Sequence, residues 1–385
     1  MKFTKERKTI ARKVNGQTQD ILVFNLDSEI PGPHIYIQSS VHGAELQGNA
    51  VIYKIMSALK SLPFKGSFTI VPHANPLGGC LKMGDYTFGR IDPISGENYN
   101  RTYFDTIDKS ERGDDSIRIG LSPFCDEHGE KPWSEIKKFF QEEIQNSINK
   151  KWEDVKIHGM HFPNKLCLTL QEMAARADYV FDLHTAPVAT HYVYTPEYCK
   201  ESALQLNFPN YIVIPNEFAG ALDEATFCPW WSLKDELSKR GRDDIQIDFE
   251  SYTIELCGEE VIELERAQVE ASKILNFLHL KGVIDQGMEV KSPKQVYCKL
   301  ENFKTYHAPM GGLVDYHKTP GEIVKKGEKL ATILSFMGLE RLEEIEKCEH
   351  PILAQEDLLL INHFASAAAP EGADLFQYFT NFDEI

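Results

Sequence analysis

Three side chains have the types and the spacing of a catalytic metal site. His42 and Glu45 stand three residues apart where a predicted strand turns into a helix, so the imidazole and the carboxylate can converge on one ion. Alone this motif is weak, because a Glu at a helix start also interacts favourably with the helix dipole. His184, at the end of another predicted strand, supplies a third donor. Two imidazoles and one carboxylate leave a fourth tetrahedral position for water, which is typical of catalytic zinc.

Asp182 precedes His184 by two residues on the same predicted strand. Its side chain therefore points to the same face of the sheet. There it can accept a hydrogen bond from the second ring nitrogen and orient the histidine. A strand-end cap is the alternative role for this carboxylate. His158 and His161 are a competing pair of metal ligands, but they stand in an irregular segment without acidic partners in a defined geometry.

Hydrolysis of an amide also requires a base for the attacking water and cations for the charge that develops. Glu255 interrupts an apolar predicted strand, where loss of solvent can raise its pKa towards that of a general base. Arg90 and the adjacent pair Asn100 and Arg101 offer planar donor groups that suit an oxyanion and a carboxylate. Either arginine taken alone is more often a surface residue.

The elements that must position these side chains alternate between strands and helices. Apolar runs and alternation predict strands at 21–26, 33–39, 67–72, 179–184, 191–194, 211–214 and 251–256. Helical spacing of apolar residues predicts helices at 44–59, 166–177 and 259–280. This rhythm is typical of a doubly wound, mostly parallel α/β sheet.

A length of 385 residues exceeds what one hydrophobic core usually supports, so two domains are expected. Residues 1–285 form the first, with a charged, partly helical insertion at about 105–164. Residues 286–385, with short β segments between Gly and Pro residues, form a smaller all-β domain. Part of it resembles the barrel-sandwich fold of lipoyl and biotinyl carriers. No lysine stands near Met337, where a carrier would be modified, so we expect a structural or site-shaping module.

Charge and composition exclude several classes of partner. Acidic residues outnumber basic residues by 58 to 41, and the net charge of -17 opposes binding to nucleic acids and to anionic membranes. The charged start of the chain does not resemble a secretory signal, and no apolar run approaches the ~20 residues of a membrane span. The eight cysteines are scattered singly, which favours reduced thiols. We therefore expect a cytoplasmic protein, for which a homo-oligomer is plausible.

The ordered set of motifs resembles the succinylglutamate desuccinylase and aspartoacylase branch of the M14 zinc carboxypeptidases. The matching segments cover most of residues 30–280, and the ordered set is far more specific than any single member. The segments are His42-Gly43-Ala44-Glu45, Asn75-Pro76-Leu77-Gly78, Arg90-Ile91-Asp92, Asn100-Arg101, Asp182-Leu183-His184-Thr185 and Ile254-Glu255.

The resemblance implies a mixed sheet of zinc-carboxypeptidase type with one Zn²⁺ per chain. His42, Glu45 and His184 would hold the ion, and Glu255 would act as general base and proton shuttle for a metal-activated water. The smaller C-terminal domain resembles that of predicted deacylases in this branch, where it lies beside the site.

The resemblance also implies roles in substrate binding. Arg90 would polarise the scissile carbonyl, while Asn100 and Arg101 would grip the carboxylate of the amino-acid part. Arg242 is a weak candidate for a further substrate-binding arginine of the family. A tyrosine from the second domain is expected too, but the sequence does not distinguish Tyr306 from Tyr316. The insertion can act as a lid or narrow the pocket.

The expected function is zinc-dependent hydrolysis of the amide bond of a small N-acyl amino acid. A zinc carboxypeptidase acting on short peptides is the first alternative, because the same site cleaves peptide bonds. A non-catalytic binding protein on the same fold is the second alternative. Neither the acyl group nor the amino acid follows from the sequence.

Overall fold

A ten-stranded mixed sheet is the framework of the computed structural model, which describes residues 1–110 and 115–385. The strands up to residue 299 are β1 (Lys2–Arg12), β2 (Thr18–Asp27), β3 (His34–Ser39), β4 (Ser67–Val71), β5 (Lys82–Met83), β6 (Tyr86–Thr87), β7 (Tyr179–His184), β8 (Val188–Ala189), β9 (His191–Pro196), β10 (Asn210–Ile214), β11 (Glu250–Leu256) and β12 (Val296–Lys299). The order across the large sheet is β1-β2-β4-β3-β7-β11-β9-β10-β12, and the last strand of the chain completes it. Pairing is parallel from β4 through β3 and β7 to β11.

Helices cover both faces of this sheet. They are α1 (Gln47–Leu59), α2 (Leu121–His128), α3 (Trp133–His158), α4 (Phe162–Ala174), α5 (Lys200–Ala203), α6 (Leu222–Lys239) and α7 (Leu264–Leu280). Helices α1 and α7 share one hydrophobic core with the sheet, while α3, α4 and α6 pack in the core on the other face. The predicted doubly wound α/β architecture is confirmed. Among the described residues, no helix is both long enough and apolar enough to cross a bilayer.

Alternation along the two central strands sorts apolar from functional side chains. In β7, Phe181 and Leu183 enter the core beneath α1 and α7. The intervening Asp182 and His184 must therefore face the opposite side of the sheet. Strand β11 repeats this pattern, and its Glu255 pairs in register with His184. The chemistry-bearing residues of both strands thus share one face at the carboxyl ends of parallel strands.

The C-terminal region forms two antiparallel sheets around a core of its own. Its strands are β13 (Phe303–His307), β14 (Gly312–Tyr316), β15 (Ile323–Val324), β16 (Lys329–Leu334), β17 (Glu349–Leu353), β18 (Leu358–His363), β19 (Ala368–Ala369) and β20 (Asp374–Phe379), and β21 (Asp383–Glu384) follows them. The orders are β13-β20-β18-β15, with β8 beside β18, and β17-β16-β14-β19. This region confirms the expected β fold. The domain boundary at 285/286 stays a prediction, and β12 and β21, which lie beyond it, extend the large sheet.

The described part of the predicted insertion packs into the core that also contains α4 and α6. Helices α2 and α3 meet each other through Phe124 and Phe140, whose ring centroids lie 5.1 Å apart. Phe140 also contacts Trp230 of α6 at 5.2 Å. The segment therefore adds a layer over α6, and residues 111–114 within it lie outside the described residues.

Candidate metal centre and active site

Two loops at the carboxyl ends of parallel strands bring the predicted metal ligands together. His42 and Glu45 lie between β3 and α1, while His184 ends the neighbouring strand β7. Ligands gather at such strand ends in open α/β sheets because the loops there face one crevice. All three side chains are almost fully buried. One donor atom from each lies within 4.8 Å of the others.

The Glu45 carboxylate lies between the two imidazoles. Its Oε1 is 2.8 Å from Nδ1 of His42, and its Oε2 is 2.7 Å from Nδ1 of His184. The Thr185 backbone N–H also donates to Oε2, at 3.2 Å. Both imidazole rings therefore direct Nδ1 towards the Glu45 carboxylate.

The outer nitrogens of the two rings show that this arrangement fits a divalent metal ion. Nε2 of His42 is 2.9 Å from Oδ1 of Asn98, and Nε2 of His184 is 2.9 Å from Oδ2 of Asp182. Each imidazole thus stands between two oxygen acceptors, although a neutral ring carries a single N–H. With both protons on the outer nitrogens, the inner lone pairs converge on Glu45. A cation there satisfies two nitrogens and a carboxylate without burying two imidazolium ions.

The charges at the centre are strongly coupled. Burial favours the neutral form of Glu45, but the two histidines outweigh it and hold the pKa of this carboxyl well below its usual value. Burial acts against the charged form of His184, yet Asp182 and Glu45 raise the pKa of this ring well above its usual value. Burial lowers the pKa of His42. Negative charge therefore dominates the surroundings of His184, whereas loss of solvent dominates at His42.

Glu255 lies near the end of β11 and is partly open to the cavity that His42 and His184 also line, which is a suitable position for a general base. Burial and the negative charge of Glu45 raise the pKa of Glu255 to about 8. Its Oε2 has no hydrogen-bond partner in the described part of the chain. This oxygen is consequently free to take up a proton at near-neutral pH.

The predicted cationic and amide groups line this cavity as well. Arg90 is half-exposed, and its guanidinium lies 2.7 Å from Oε1 of Glu45 and 3.4 Å from Oε1 of Glu259. Asn100 is buried, and its Oδ1 accepts the backbone N–H of Leu222 at 3.3 Å. Arg101 is exposed, and its guanidinium donates to the carbonyl of Asn100 at 2.6 Å. The cavity therefore combines metal donors, a base and two guanidinium groups.

Comparison with known proteins agrees with this site. A Shewanella frigidimarina structure described as a succinylglutamate desuccinylase/aspartoacylase has a TM-score of 0.91 and 33% identity, covering 99% of this chain and 98% of that one. A Shewanella amazonensis protein of the same description has a TM-score of 0.90 and 34% identity, over 99% and 100% of the two chains. The chain belongs to the succinylglutamate desuccinylase/aspartoacylase family.

Further comparisons show which residues of the chain match the family and which other structures share its fold. The model of the succinylglutamate desuccinylase/aspartoacylase catalytic domain matches residues 31–120, which include His42, Glu45, Arg90 and Asn100. A family structure from Rhodobacter sphaeroides shares the fold, with a TM-score of 0.62 and 15% identity over 99% of this chain and 95% of that one. No curated protein matches the chain. The family consists of deacylase hydrolases, and the buried histidines and Glu45 are consistent with a metal site typical of it.

Asn98 holds the outer nitrogen of His42 and was not among the predicted site residues. Its Oδ1 also accepts the backbone N–H of Asn100 at 2.8 Å, which fixes the orientation of the amide. Outer partners of ligand histidines typically change metal affinity by about 10–100-fold when removed. The one sequence feature that could have pointed to Asn98 is its position two residues before Asn100.

We expect Asn98→Ala to weaken metal affinity by about 10–100-fold, because His42 loses the acceptor that fixes its ring. Competition with a chromophoric chelator measures this change. Asn98→Asp keeps an acceptor oxygen and serves as the matched variant, which should retain most of the affinity. Equal affinities for wild type and Asn98→Ala would rule out the role assigned to this amide.

Arg242 does not reach the cavity. Its guanidinium donates to the carbonyls of Gly129 and Lys131 at 2.6 and 3.1 Å, and it pairs with Asp244 at 2.9 Å. The physical reason is the length of α6, whose 18 residues span about 27 Å. Its first turn lines the cavity, and Arg242 follows its last turn. This side chain therefore fastens the chain after α6 instead of binding substrate in the cavity.

His158 and His161 lie apart from the centre. Both are exposed, and His158 has 72% of its side chain accessible at the end of α3. Nε2 of His158 is 3.8 Å from a carboxylate oxygen of Asp154. Neither histidine belongs to a cluster of three potential metal ligands among the described residues.

The remaining walls come from strands that are distant in the sequence. The cavity has a volume of about 730 Å³, within the range of small-molecule sites. Tyr192 and Tyr194 of β9 line it, and the C-terminal sheet contributes His363 and Gln377. None of the described residues of the insertion at 105–164 lines the cavity. The cavity lining therefore gives no support to the expectation that the insertion acts as a lid. The two candidate C-terminal tyrosines are absent from its lining as well.

The loop that carries His42 fits tightly against two other loops. A Cβ atom on Gly43 would lie 2.2 Å from the carbonyl oxygen of Gly78, and the Gly43 N–H donates to the carbonyl of Gly89 at 3.0 Å. Gly89 has a φ of +141°, and a Cβ on it would also meet Gly78. The backbone itself must give way if a side chain is added here.

Gly43→Ala is therefore expected to destabilise the protein by about 1–3 kcal/mol, the usual cost of overpacking, and to weaken metal binding. Urea unfolding of the apoprotein measures the first effect without contribution from metal. Gly338→Ala is the control, because a Cβ at Gly338 meets nothing within 4 Å. The steric explanation fails if the two variants unfold at the same urea concentration.

Proposed function

We propose that the protein hydrolyses the amide bond of small N-acyl amino acids, with one zinc ion per chain on His42, Glu45 and His184. One observation carries the proposal: a single cavity is lined by both ligand histidines, by Glu255 and by Asn100 and Arg101. The family membership supports deacylation.

The donor set of two imidazoles and one carboxylate suits zinc and leaves a coordination position open. When bound, zinc supplies Lewis-acid chemistry, which eases deprotonation of water and polarises the acyl carbonyl. Asn98 hydrogen-bonds the outer nitrogen of His42, and the Asp182 carboxylate lies 2.9 Å from the outer nitrogen of His184, so that the inner nitrogens of both rings would face a bound ion.

Glu255 moves the proton. It accepts a proton from the water whose oxygen forms the new bond to the acyl carbon. When the carbon–nitrogen bond breaks, Glu255 returns that proton to the departing nitrogen. The second proton of the water passes from the new carboxyl group to the amine, so the products are a carboxylate and an amino acid with a protonated amino group, and the carboxylate of Glu255 is regenerated. A pKa of about 8 before metal binding places this group near the working pH of a shuttle.

The guanidinium groups act on the substrate from the cavity wall. Arg90, beside Glu45, is placed to stabilise the negative charge that develops on the carbonyl oxygen. Arg101 and Asn100 stand together at the start of α6 and are suited to hold the carboxylate of the amino-acid part. A bound carboxylate then fixes the scissile amide relative to Glu255.

A substrate panel tests the proposal. Zinc-loaded protein is incubated with N-acetyl, N-succinyl and N-formyl amino acids and, in parallel, with short peptides, and released amino groups are quantified. We expect hydrolysis of at least one acyl amino acid class with kcat/KM above that for any peptide. Preference for peptides would instead favour a carboxypeptidase. Full zinc occupancy without any turnover would favour a binding protein.

A further inference from the structure

Asp223 is a buried carboxylate in the cavity wall that the proposed reaction does not use. It stands in the first turn of α6 and is only 3% exposed, yet it lines the cavity. Its Oδ1 accepts the backbone N–H of Glu224 at 2.9 Å. Among the described residues, no Lys, Arg or His lies within ion-pair distance of it. Burial and the neighbouring Glu224 raise the pKa of Asp223 to about 7.

Apart from Glu255, which the proposed reaction uses, the other carboxylates around the cavity have partners of their own. Oε2 of Glu224 accepts the backbone N–H groups of Ala219 and Ala221, at 2.7 and 3.1 Å. Asp374, which is 63% exposed, lies 2.9 Å from Nδ1 of His307. Asp223 alone of these three is both buried and without a partner charge. A buried charge is costly unless it is paired, so a cation supplied by the ligand would stabilise it.

Two contacts place Asp223 on the side of the amino-acid part of the substrate. The preceding residue, Leu222, donates its N–H to Oδ1 of Asn100, which we assign to the carboxylate clamp. Thr253, which precedes Glu255 by two residues on β11 and lines the same cavity, donates a side-chain hydrogen bond to the Asp223 carboxylate. Asp223 therefore lies next to the clamp and along the same face of the sheet as the base.

We infer that Asp223 forms a subsite for a positively charged side chain of the substrate, so that the preferred substrates are N-acyl derivatives of diamino acids. The inference rests on the proposed function, because it assigns the amino-acid part to the side of Asn100 and Arg101. The α-carboxylate meets Arg101, and the side-chain ammonium meets Asp223. An N-acyl diamino acid carries one carboxylate and one ammonium group, so it matches a cavity that offers both charges.

A purely structural role is the competing explanation, since an acidic residue in the first turn also stabilises a helix through its dipole. Removing the charge would then reduce stability but would not change selectivity between a charged and a neutral substrate. Selectivity is therefore the quantity to measure.

The test compares Nα-acetylornithine with N-acetylnorleucine, in which a methyl group replaces the ammonium group at nearly the same size. Zinc-loaded wild type is expected to favour the ornithine derivative by about 10–100-fold in kcat/KM. Asp223→Asn should abolish most of that preference. Asp374→Asn removes a charge from the same cavity and should leave the preference unchanged. This control distinguishes direct pairing of Asp223 with the substrate ammonium from the effect of the cavity's overall negative charge.

Calorimetric binding of free ornithine and norleucine to the same zinc-loaded proteins is the second readout, and it does not depend on turnover. Equal affinities for both amino acids in wild type would overturn the inference, even if Asp223→Asn does not fold. Efficient hydrolysis of acyl amino acids without preference for ornithine would also overturn it, and the proposed function would survive. Asp223-dependent binding of ornithine without hydrolysis would sustain the subsite and remove the deacylase function.

Discussion

Replacing Glu255 with Gln is expected to lower kcat by roughly 10²–10⁴-fold, the usual contribution of a positioned acid–base group, while the protein keeps one zinc ion per chain. The amide has nearly the same shape as the carboxyl group but does not shuttle a proton. The carboxyl is not a metal ligand in the proposed site, so the three donors are untouched. Steady-state rates on the best acyl amino acid and metal analysis of the same sample measure both quantities.

Glu265→Gln is the matched control for this variant, because Glu265 is an exposed side chain in the first turn of α7. It should turn over at the wild-type rate. A wild-type rate in Glu255→Gln would remove this residue from the reaction. Loss of zinc in Glu255→Gln would instead assign it to the metal centre.

Replacing His184 with Ala is expected to abolish both stoichiometric zinc and turnover. The variant loses one of three donors, and it leaves Asp182 buried without the ring that faces it. Metal that binds only the folded state stabilises it by about 2.7 kcal/mol when its free concentration is 100 times Kd. Addition of a chelator should therefore lower the Tm of the wild type and leave that of His184→Ala unchanged.

His158→Ala is the control for the loss of a histidine, since this exposed ring lies outside the centre. It should retain zinc, activity and the response of Tm to the chelator. If His184→Ala kept one tightly bound zinc per chain, the ion would have to be held elsewhere. If His158→Ala lost the ion, the rival pair in the irregular segment would be the metal site.

The sequence predicted the central part of the site because regular strands impose simple geometry. Side chains two residues apart on a strand share a face, so His184 and Asp182 had to point the same way. Parallel strands place their carboxyl ends at one edge, which brings the loop of His42 beside His184. The strand limits of β7 were predicted exactly as they occur, Tyr179–His184.

Helix α6 was not predicted, although it places Asp223 in the cavity wall. Pro229 stands inside this helix, and buried residues lie on most of its surface. It therefore lacks the clean apolar stripe that reveals an amphipathic helix, and proline argues against a helix interior. Asp223 could not be recognised without this element.

The remaining parts of the cavity depend on contacts between distant segments. Asn98 becomes a partner of His42 only because an irregular loop folds back over the centre across 56 residues of sequence. His363 and Gln377 reach the cavity from the C-terminal sheet, whose strand β18 pairs with β8 of the large domain. Local periodicity contains no information about such contacts. The same lack of long-range information made Arg242 a candidate at the wrong end of α6.

Anomalous X-ray scattering at the zinc edge, from crystals of the zinc-loaded protein, tests the metal centre most directly. We expect one strong peak per chain, about 2.0–2.1 Å from Nδ1 of His42 and from Nδ1 of His184, and in contact with the Glu45 carboxylate. Absence of a peak between these three side chains, with zinc bound at any other place, would contradict the proposed centre and the reaction that depends on it.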